Sequence, residues 1–224
     1  FIPLEENLLP DEPQRLAIAM SGQRHPPAWD RQNSGMMDYF DLKGVIEGLL
    51  KALHIQGARF EASECPTFHP GKCARLMAGE VEIGYLGELH PLVKDNYSFL
   101  APPVLAAELD ADALYRLAVK RFEAEAVSVY PPVIEDLAII VNDEMPAAKV
   151  RETILRSGGF ILKEAELFDL FYGEQIGAGN KSLAYRLTWQ APNRTLNDRE
   201  VGKMRERVIQ ALEQELKAKV RKAE

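Results

Sequence analysis

The sequence predicts an α+β protein made of two consecutive parts, each with an antiparallel sheet and attached helices. Short runs of β-type residues alternate with turn residues through positions 58–89, which is typical of hairpins. A stretch without clear periodicity at 121–132 ends in two prolines and separates the patterned halves. After it, the patterns follow the order β-α-β-β-α-β. We therefore predict domains at residues 1–124 and 125–224.

Composition and charge limit the classes of partner. The chain has 224 residues, of which 46% are hydrophobic, so it can bury a sizeable core. Its net charge of −7 argues against a protein that holds nucleic acid by bulk electrostatics alone. The acidic excess lies mainly in residues 1–124, with 18 acidic and 12 basic side chains, whereas residues 125–224 carry 16 and 15. The second half can therefore still present a local basic surface.

Neither a membrane span nor a disulfide framework is predicted. No apolar run approaches bilayer length, and the first residues lack the pattern of a secretory signal. Cys65 and Cys73 are eight positions apart, which matches neither a CxxC half-site nor a disulfide-dense scaffold. These features indicate a reduced cytoplasmic compartment. The chain lacks an initiator Met, so we expect it to be a piece of a longer protein.

The first half is predicted to combine strands with three helices. An extended, proline-containing lead-in is expected at 1–13, and a polar loop at 22–35. The predicted elements are strands at 15–21, 60–64, 74–77, 81–89 and 104–109, and helices at 38–53, 91–96 and 110–120. Either Asp38 or Asp41 can cap the first helix. Its apolar positions at helical spacing are Phe40, Val45, Leu49, Leu50 and Leu53. In the strand at 81–89, alternation places Val81, Ile83, Tyr85 and Gly87 on one face.

The second half contains a hairpin that leads into a long helix. Its predicted elements are strands at 133–142, 160–172, 182–190 and 218–221, and helices at 146–157 and 198–217. This order is the ferredoxin-like split motif. Thr195 or Asn197 is predicted to cap the second helix, with Glu200 at capping-box spacing from Asn197. The segment at 177–182 resembles a phosphate loop only superficially, because it joins two strands rather than a strand and a helix.

One strand of the hairpin predicts a buried face and a polar face. The buried set is Leu183, Tyr185, Leu187 and Trp189. The alternate, open-face set is Ser182, Ala184, Arg186, Thr188 and Gln190. By the same alternation, Asp169, Phe171 and Asp136 are expected on the open face. From the residues alone, the simpler interpretation is that Arg186 neutralises Asp169 and Asp136, because exposed opposite charges on sheets commonly pair.

No catalytic, cofactor or metal site is predicted from the residue patterns. The histidines and cysteines that could be imagined as ligands follow no familiar zinc spacing, and a turn-fixing role is the favoured interpretation for His69 and His90. Asp110 and Asp112 suit a helix entrance better than acid/base chemistry. No Ser, His and Asp set with a nucleophile elbow is visible.

Several motifs carry a resemblance that covers nearly the whole chain. In the second half they are EDLAIIV at 135–141, LFDLFYG at 167–173, KSLAYRLTWQ at 181–190 and RTLNDREV at 194–201. In the first half they are DYFDLKGVIEGLL at 38–50, HPGKCARL at 69–76, IGYLGELHP at 83–91 and AAELDADAL at 106–114. In this order, the motifs resemble the C-terminal part of the bacterial phenylalanyl-tRNA synthetase beta subunit.

The resemblance implies a noncatalytic segment of a larger enzyme. Residues 1–124 would be an N-terminally truncated synthetase-like core domain, and residues 125–224 a ferredoxin-fold anticodon-binding domain. The catalytic alpha subunit would use ATP and magnesium in a heterotetramer of two alpha-beta pairs, whereas this segment would bind no cofactor. The segment would scaffold the alpha subunit and contact tRNA-Phe. The implied RNA contacts are Lys181, Ser182, Ala184, Arg186, Arg194, Phe171, Asp169 and Asp136.

Two other classes of function stay open at this point. A small ferredoxin-like enzyme of the acylphosphatase kind would need a phosphate-cradling loop with an Arg, but the connection at 142–146 reads NDEMP and is acidic. An effector-binding regulatory module would form its pockets between paired domains. Dimerisation that depends on an amino acid would favour that second class.

Overall fold

The computed structural model describes residues 10–30, 35–97, 99, 103–121 and 127–221. Most of the predicted lead-in at 1–13 lies outside these residues. The chain folds as two units, unit 1 (Phe1–Ala124) and unit 2 (Glu125–Glu224).

Unit 1 is built on a five-stranded antiparallel sheet. Its strands are β1 (Arg15–Met20), β2 (Ala58–Ala62), β3 (Phe68–Ala78), β4 (Val81–Leu89) and β5 (Leu105–Asp110). Their spatial order is β1-β5-β4-β3-β2. Its helices are α1 (Tyr39–Ala52), α2 (Pro91–Asn96) and α3 (Ala111–Leu117). Side chains of α1 and α3 share one core with the sheet, so these two helices lie on the same face of it.

Helix α1 begins after Asp38, one of the two predicted caps, and the structure adds a capping box with Asp41. The Asp38 carboxylate accepts the Phe40 N–H at 2.8 Å, and Asp41 accepts the Asp38 N–H at 2.8 Å. The buried stripe differs from the prediction, because Phe40 is 73% exposed and Val45 47% exposed. The buried residues, Leu42, Ile46 and Leu50, are spaced four apart. A stripe at that spacing lies on a different side of the helix from Phe40 and Val45.

Strand β4 does not keep a single alternation along its length. A register shift against β3 occurs between Leu76 and Met77. Ile83 at this irregularity is fully buried in the core, whereas Tyr85 is opposite Glu108 and turns to the other face. The prediction that Val81, Ile83, Tyr85 and Gly87 share one face is therefore wrong. The extra residue changes which side the later residues occupy.

Unit 2 has the predicted β-α-β-β-α-β order and is a ferredoxin-like α+β fold. Its elements are β6 (Val133–Asn142), α4 (Ala147–Gly158), β7 (Leu162–Phe171), β8 (Asn180–Trp189), α5 (Asp198–Leu216) and β9 (Lys219–Val220). The strands lie in the order β7-β8-β6-β9 and are antiparallel. Each of the two middle strands, β8 and β6, therefore pairs with a neighbouring strand on both of its sides.

The predicted buried side of β8 is confirmed. Leu183, Tyr185, Leu187 and Trp189 are at most 1% exposed and join the core formed with α4 and α5. The Tyr185 hydroxyl donates to the Ala147 carbonyl at 2.8 Å, and its burial raises the pKa of Tyr185 well above the ordinary value. Of the two predicted caps for α5, the structure uses Asn197, whose side chain accepts the Glu200 N–H at 3.0 Å.

Gly84 of β4 tests the packing of β4 against β5. A Cβ on Gly84 would lie 2.0 Å from the Glu108 carbonyl oxygen and 2.9 Å from the Leu109 Cα, so the backbones would have to move apart. We expect Gly84→Ala to lower the free energy of unfolding of unit 1 by at least about 2 kcal/mol. Urea unfolding followed by NMR amide signals of β4 and β5 measures this change.

The matched control is Gly44→Ala, on the exposed side of α1. A Cβ there meets no atom of the described structure within 4 Å. Because Ala favours the helix more than Gly does, this variant should be more stable by roughly 0.5–1 kcal/mol. Equal stabilities for the two variants would contradict the close contact between β4 and β5.

Candidate nucleic-acid interface

The candidate site is the face of the unit 2 sheet that is turned away from α4 and α5, here named the open face. Residues of three neighbouring strands, β7, β8 and β6, form this face. The open face comprises Ile134, Asp136, Ala138 and Ile140 of β6, Glu164, Glu166, Phe168, Asp169 and Phe171 of β7, and Ser182, Ala184, Arg186 and Thr188 of β8. This surface combines aromatic rings, small side chains and charges of both signs.

Arg186 occupies the middle of the open face and is held from two directions. Its Nε lies 2.9 Å from Asp136 Oδ1 and its Nη2 lies 3.0 Å from Asp136 Oδ2, which is a bidentate ion pair between opposed residues of β8 and β6. Its guanidinium carbon lies 5.0 Å from the centre of the Phe168 ring. Glu166 is opposite Arg186 on the other side. The guanidinium is therefore oriented as well as charge-paired.

The ion pair changes the acidity of Asp136. The hydrogen bonds from Arg186 are the main reason that the pKa of Asp136 lies below its ordinary value, and the attraction between the opposite charges adds to them. Both side chains are about half exposed, at 47% for Arg186 and 49% for Asp136. Water therefore screens the pair, and we expect it to orient Arg186 more than it stabilises the fold.

Phe168 belongs to the site although the sequence pattern did not indicate it. A register shift in β7 lies between Leu167 and Asp169, with Phe168 as the extra residue. Asp169 is opposite Ala184, and Phe168 contacts Arg186, so consecutive side chains lie on the same face. Strict alternation from Asp169 assigns Phe168 to the helix side. Only the pairing with β8 shows the bulge.

Phe171 has a second cation beside it that sequence reasoning also missed. The Arg221 guanidinium carbon is 5.9 Å from the Phe171 ring centre. The Arg221 N–H donates to the Ala138 carbonyl at 2.9 Å, which fixes the chain just after β9 against β6. The sequence signal was weak, because Arg221 follows a strand of only two residues, Lys219–Val220.

The structure places only some of the predicted RNA contacts on the open face. Ala184, Arg186, Asp136, Asp169 and Phe171 lie on the open face. Ser182 has the parity of the open face but is only 5% exposed, between its cross-strand neighbours Ile140 and Phe171. Asp169 accepts the N–H of Leu170 and is not the ion-pair partner of Arg186.

Lys181 and Arg194 lie away from the centre of the site. Lys181 has the parity of the buried side of β8, and its ammonium donates to the Asp143 carbonyl. Arg194 follows the other end of β8 and pairs with Glu200, with Nη2 2.8 Å from Oε1. Lys181 lies five positions before Arg186 along β8, which is roughly 17 Å. These two cations can serve only as flanking contacts for a ligand centred on Arg186.

The histidines that could be imagined as ligands make local contacts. His90 accepts the Leu92 N–H at 3.2 Å at the start of α2, and His69 Nδ1 lies 2.5 Å from the Pro70 carbonyl oxygen. Within the part of the chain that the structure describes, no group of three or more His, Cys, Asp or Glu side chains is arranged to hold a metal. None of the described helices has the length and apolar character needed to cross a membrane.

The effect of Arg186 on Asp136 can be measured directly. A depressed folded-state pKa contributes stability above the unfolded-state pKa, and this contribution is lost as the pH falls through the folded-state value. In Arg186→Ala we expect the pKa of Asp136 to rise toward its ordinary value, because the main cause of its depression is removed. An NMR titration of the carboxylates measures it. Asp41, whose pKa is lowered mainly by Arg24, is the internal control and should not change. An unchanged Asp136 would contradict the pairing.

Known proteins match both units. Residues 1–111 match the family model of the phenylalanyl tRNA synthetase beta chain CLM domain, and residues 128–221 match the ferredoxin-fold anticodon binding domain. The phenylalanine–tRNA ligase beta subunit of Clostridium tetani is 38% identical over 99% of this chain and 26% of that subunit. The beta subunit of Moorella thermoacetica is 40% identical over 99% of this chain and 27% of that subunit.

The chain thus spans about a quarter of the length of these curated relatives. The two family models follow one another along it, with residues 112–127 between them. Their order agrees with the two folded units, and the second model coincides with the unit that carries the open face. On this evidence, the chain belongs to the phenylalanine–tRNA ligase beta-subunit family.

Proposed function

We propose that this chain is a noncatalytic segment of phenylalanine–tRNA ligase in which unit 2 binds the anticodon region of tRNA-Phe. The observation that carries the proposal is the open face, where an oriented Arg186 and two aromatic rings lie on a domain that matches anticodon-binding domains. A sheet face with exposed aromatic rings suits single-stranded RNA, because unpaired bases can stack on the rings.

The small and aromatic residues of the open face suit different parts of such a ligand. Ala184 lies between Ala138 and Asp169 in the register, so the centre of the sheet has little side-chain bulk. Phe168 and Phe171 are 48% and 39% exposed, and each can stack on a base. Arg186 has free donor groups beyond its two bonds to Asp136, and these can reach a base edge or a phosphate.

The surrounding carboxylates indicate that bulk charge does not dominate this contact. Glu164, Glu166 and Asp169 share the open face with Arg186, and phosphate groups near them would be repelled. Stacking and hydrogen bonds at unpaired bases are less affected by such repulsion. We therefore propose that binding at the open face depends on base contacts, with Lys181 and Arg194 as flanking phosphate contacts.

Two substitutions test the open face in the whole chain. We expect Phe168→Ala and Arg186→Ala each to weaken binding of a tRNA-Phe anticodon stem-loop by about fivefold to a hundredfold, because each removes a stacking or hydrogen-bonding group. Fluorescence titration at several salt concentrations measures the dissociation constants. Each lost phosphate contact would also reduce the salt slope by about 0.7, so an unchanged slope indicates base contact.

The matched control is Arg156→Ala. Arg156 is an exposed arginine of unit 2 that pairs with Glu215 between the two helices, on the opposite side of the sheet. It should bind the stem-loop as the unsubstituted chain does. Equal affinities for all three variants would show that the open face is not the binding site. Equally strong binding of an unrelated stem-loop would show that the binding is not specific for tRNA-Phe.

For unit 1 we propose a scaffolding role toward the catalytic alpha subunit. The match to a beta chain CLM domain supports this role, and the exposed apolar side chains of α1 supply a surface for it. In this proposal the alpha subunit performs the reaction with ATP and magnesium. Two alpha-beta pairs would assemble in the cytoplasm, where charged tRNA is used.

Co-purification with the alpha subunit tests the scaffolding role. We expect the double variant Phe40→Ser, Val45→Ser to recover several times less alpha subunit than the unsubstituted chain, because it removes exposed apolar surface from α1. Leu92→Ser, at a residue of α2 that is 69% exposed, is the control for removal of apolar surface elsewhere. Equal recovery in all cases would exclude this part of α1 from the interface.

A further inference from the structure

A cavity of about 610 Å³ lies within unit 1 on the face of its sheet that is turned away from α1 and α3. Its volume is in the range of pockets that hold small molecules. Ala17, Ala19 and Ala106 form its floor, and Phe68 and Tyr85 are among its walls. All of its lining residues belong to unit 1, and none belongs to the open face of unit 2.

The strand register explains why the sheet is hollow at this point. Ala19 is opposite Ala106, and Ala17 is opposite Glu108, so adjacent strands β1 and β5 present short side chains next to each other. Tyr85 of β4 lies opposite Glu108 of β5. A flat floor of methyl groups beside an aromatic ring can contact a planar or aliphatic group.

The charged groups at this cavity are predominantly acidic. Its lining contains one arginine and three carboxylates, namely Arg15, Glu82, Glu108 and Asp110. Arg15 is already engaged by Asp110, with Nη1 2.7 Å from Oδ2. Asp110 also accepts the Ala113 N–H at 2.8 Å as the cap of α3. These two side chains therefore offer little to a ligand.

Glu108 and Glu82 are less completely engaged. Glu108 is separated from Arg15 Nε by 4.0 Å, and its side chain is 71% exposed. Glu82 accepts the Tyr85 hydroxyl at 3.2 Å and lies 3.7 Å from Arg75 Nη1. Arg75 also lies 2.8 Å from Glu61, which is paired in addition with Arg59 Nε at 2.6 Å, so part of the Arg75 charge is left for Glu82. Arg15, Arg59 and Arg75 face four carboxylates, those of Glu61, Glu82, Glu108 and Asp110, so this group of side chains keeps one net negative charge beside the aromatic wall.

We propose that this cavity binds a small organic cation, a protonated amine carried on a flat or aliphatic apolar body. Glu108 and Glu82 would pair with the ammonium group, and the Tyr85 ring adds a favourable cation–π surface. The alanine floor and Phe68 would contact the apolar body. A carboxylate ligand of the same shape would be disfavoured, because Asp110 already occupies Arg15.

Cys65 supplies a reporter for occupancy. It lines the cavity and is partly exposed, whereas Cys73 is buried and that burial raises the pKa of the Cys73 thiol. Iodoacetamide should therefore alkylate Cys65 faster than Cys73. A molecule bound in the cavity would shield Cys65, and the alkylation rate measures this shielding without any assay of enzyme activity.

The test uses the whole chain with 2-phenylethylamine as the cationic probe and 3-phenylpropionate as the anionic probe of similar shape. We expect 2-phenylethylamine to bind saturably by calorimetry and to slow the alkylation of Cys65, whereas 3-phenylpropionate should do neither. The double variant Glu82→Gln, Glu108→Gln should bind the amine at least about fivefold more weakly, because two ionic contacts are lost.

Glutamine preserves the size of both side chains and can still accept the Tyr85 hydroxyl, so the double variant should keep its fold. The double variant Glu152→Gln, Glu213→Gln, at exposed glutamates of α4 and α5, makes the same change of net charge and should bind the amine normally. The proposal is overturned if neither probe binds, if both protect Cys65 equally, or if the Glu82→Gln, Glu108→Gln variant binds the amine as well as the unsubstituted chain does.

Discussion

Unit 2 depends on the buried side of β8. Tyr185 and Trp189 on this central strand are fully buried, and the alternate residues must therefore lie on the other side of the sheet. A one-residue slip would expose both large rings and bury Arg186. The hydrophobic effect thus fixes the register of β8, and the register in turn places Asp136 and Glu166 on either side of Arg186. The candidate interface is a consequence of core packing.

Arg186 shows how an ion pair can contribute to a site without adding much stability. Its bonds to Asp136 are geometrically good, yet both side chains are half exposed. The residues alone favoured an internal ion pair, the family resemblance implied an RNA contact, and the geometry is compatible with both. Asp136 holds the guanidinium in one plane beside Phe168, while the remaining donors stay available. Such an arrangement limits the conformational entropy that a ligand contact would otherwise cost.

The two units share a general plan and differ in the side chains that the free face of each sheet carries. In each unit helices bury one face, and α+β folds commonly leave the other accessible. The free face of unit 2 carries aromatic rings with paired charges. That of unit 1 carries alanines beside Tyr85, which leaves a cavity with an acidic lining. The side chains at alternate strand positions therefore give the two free faces different chemistry.

The sequence by itself determined the element order, the β-α-β-β-α-β fold, the buried set of β8 and two candidates for each helix cap, because these depend on local periodicity and on nearby hydrogen bonds. The tertiary structure decided which charges pair, how deeply Ser182 is buried, and which face Phe168 and Tyr85 occupy. Bulges in β7 and β4 shift the alternation by one residue. No local pattern reveals such a shift, because it exists only in the pairing between strands that are distant in sequence.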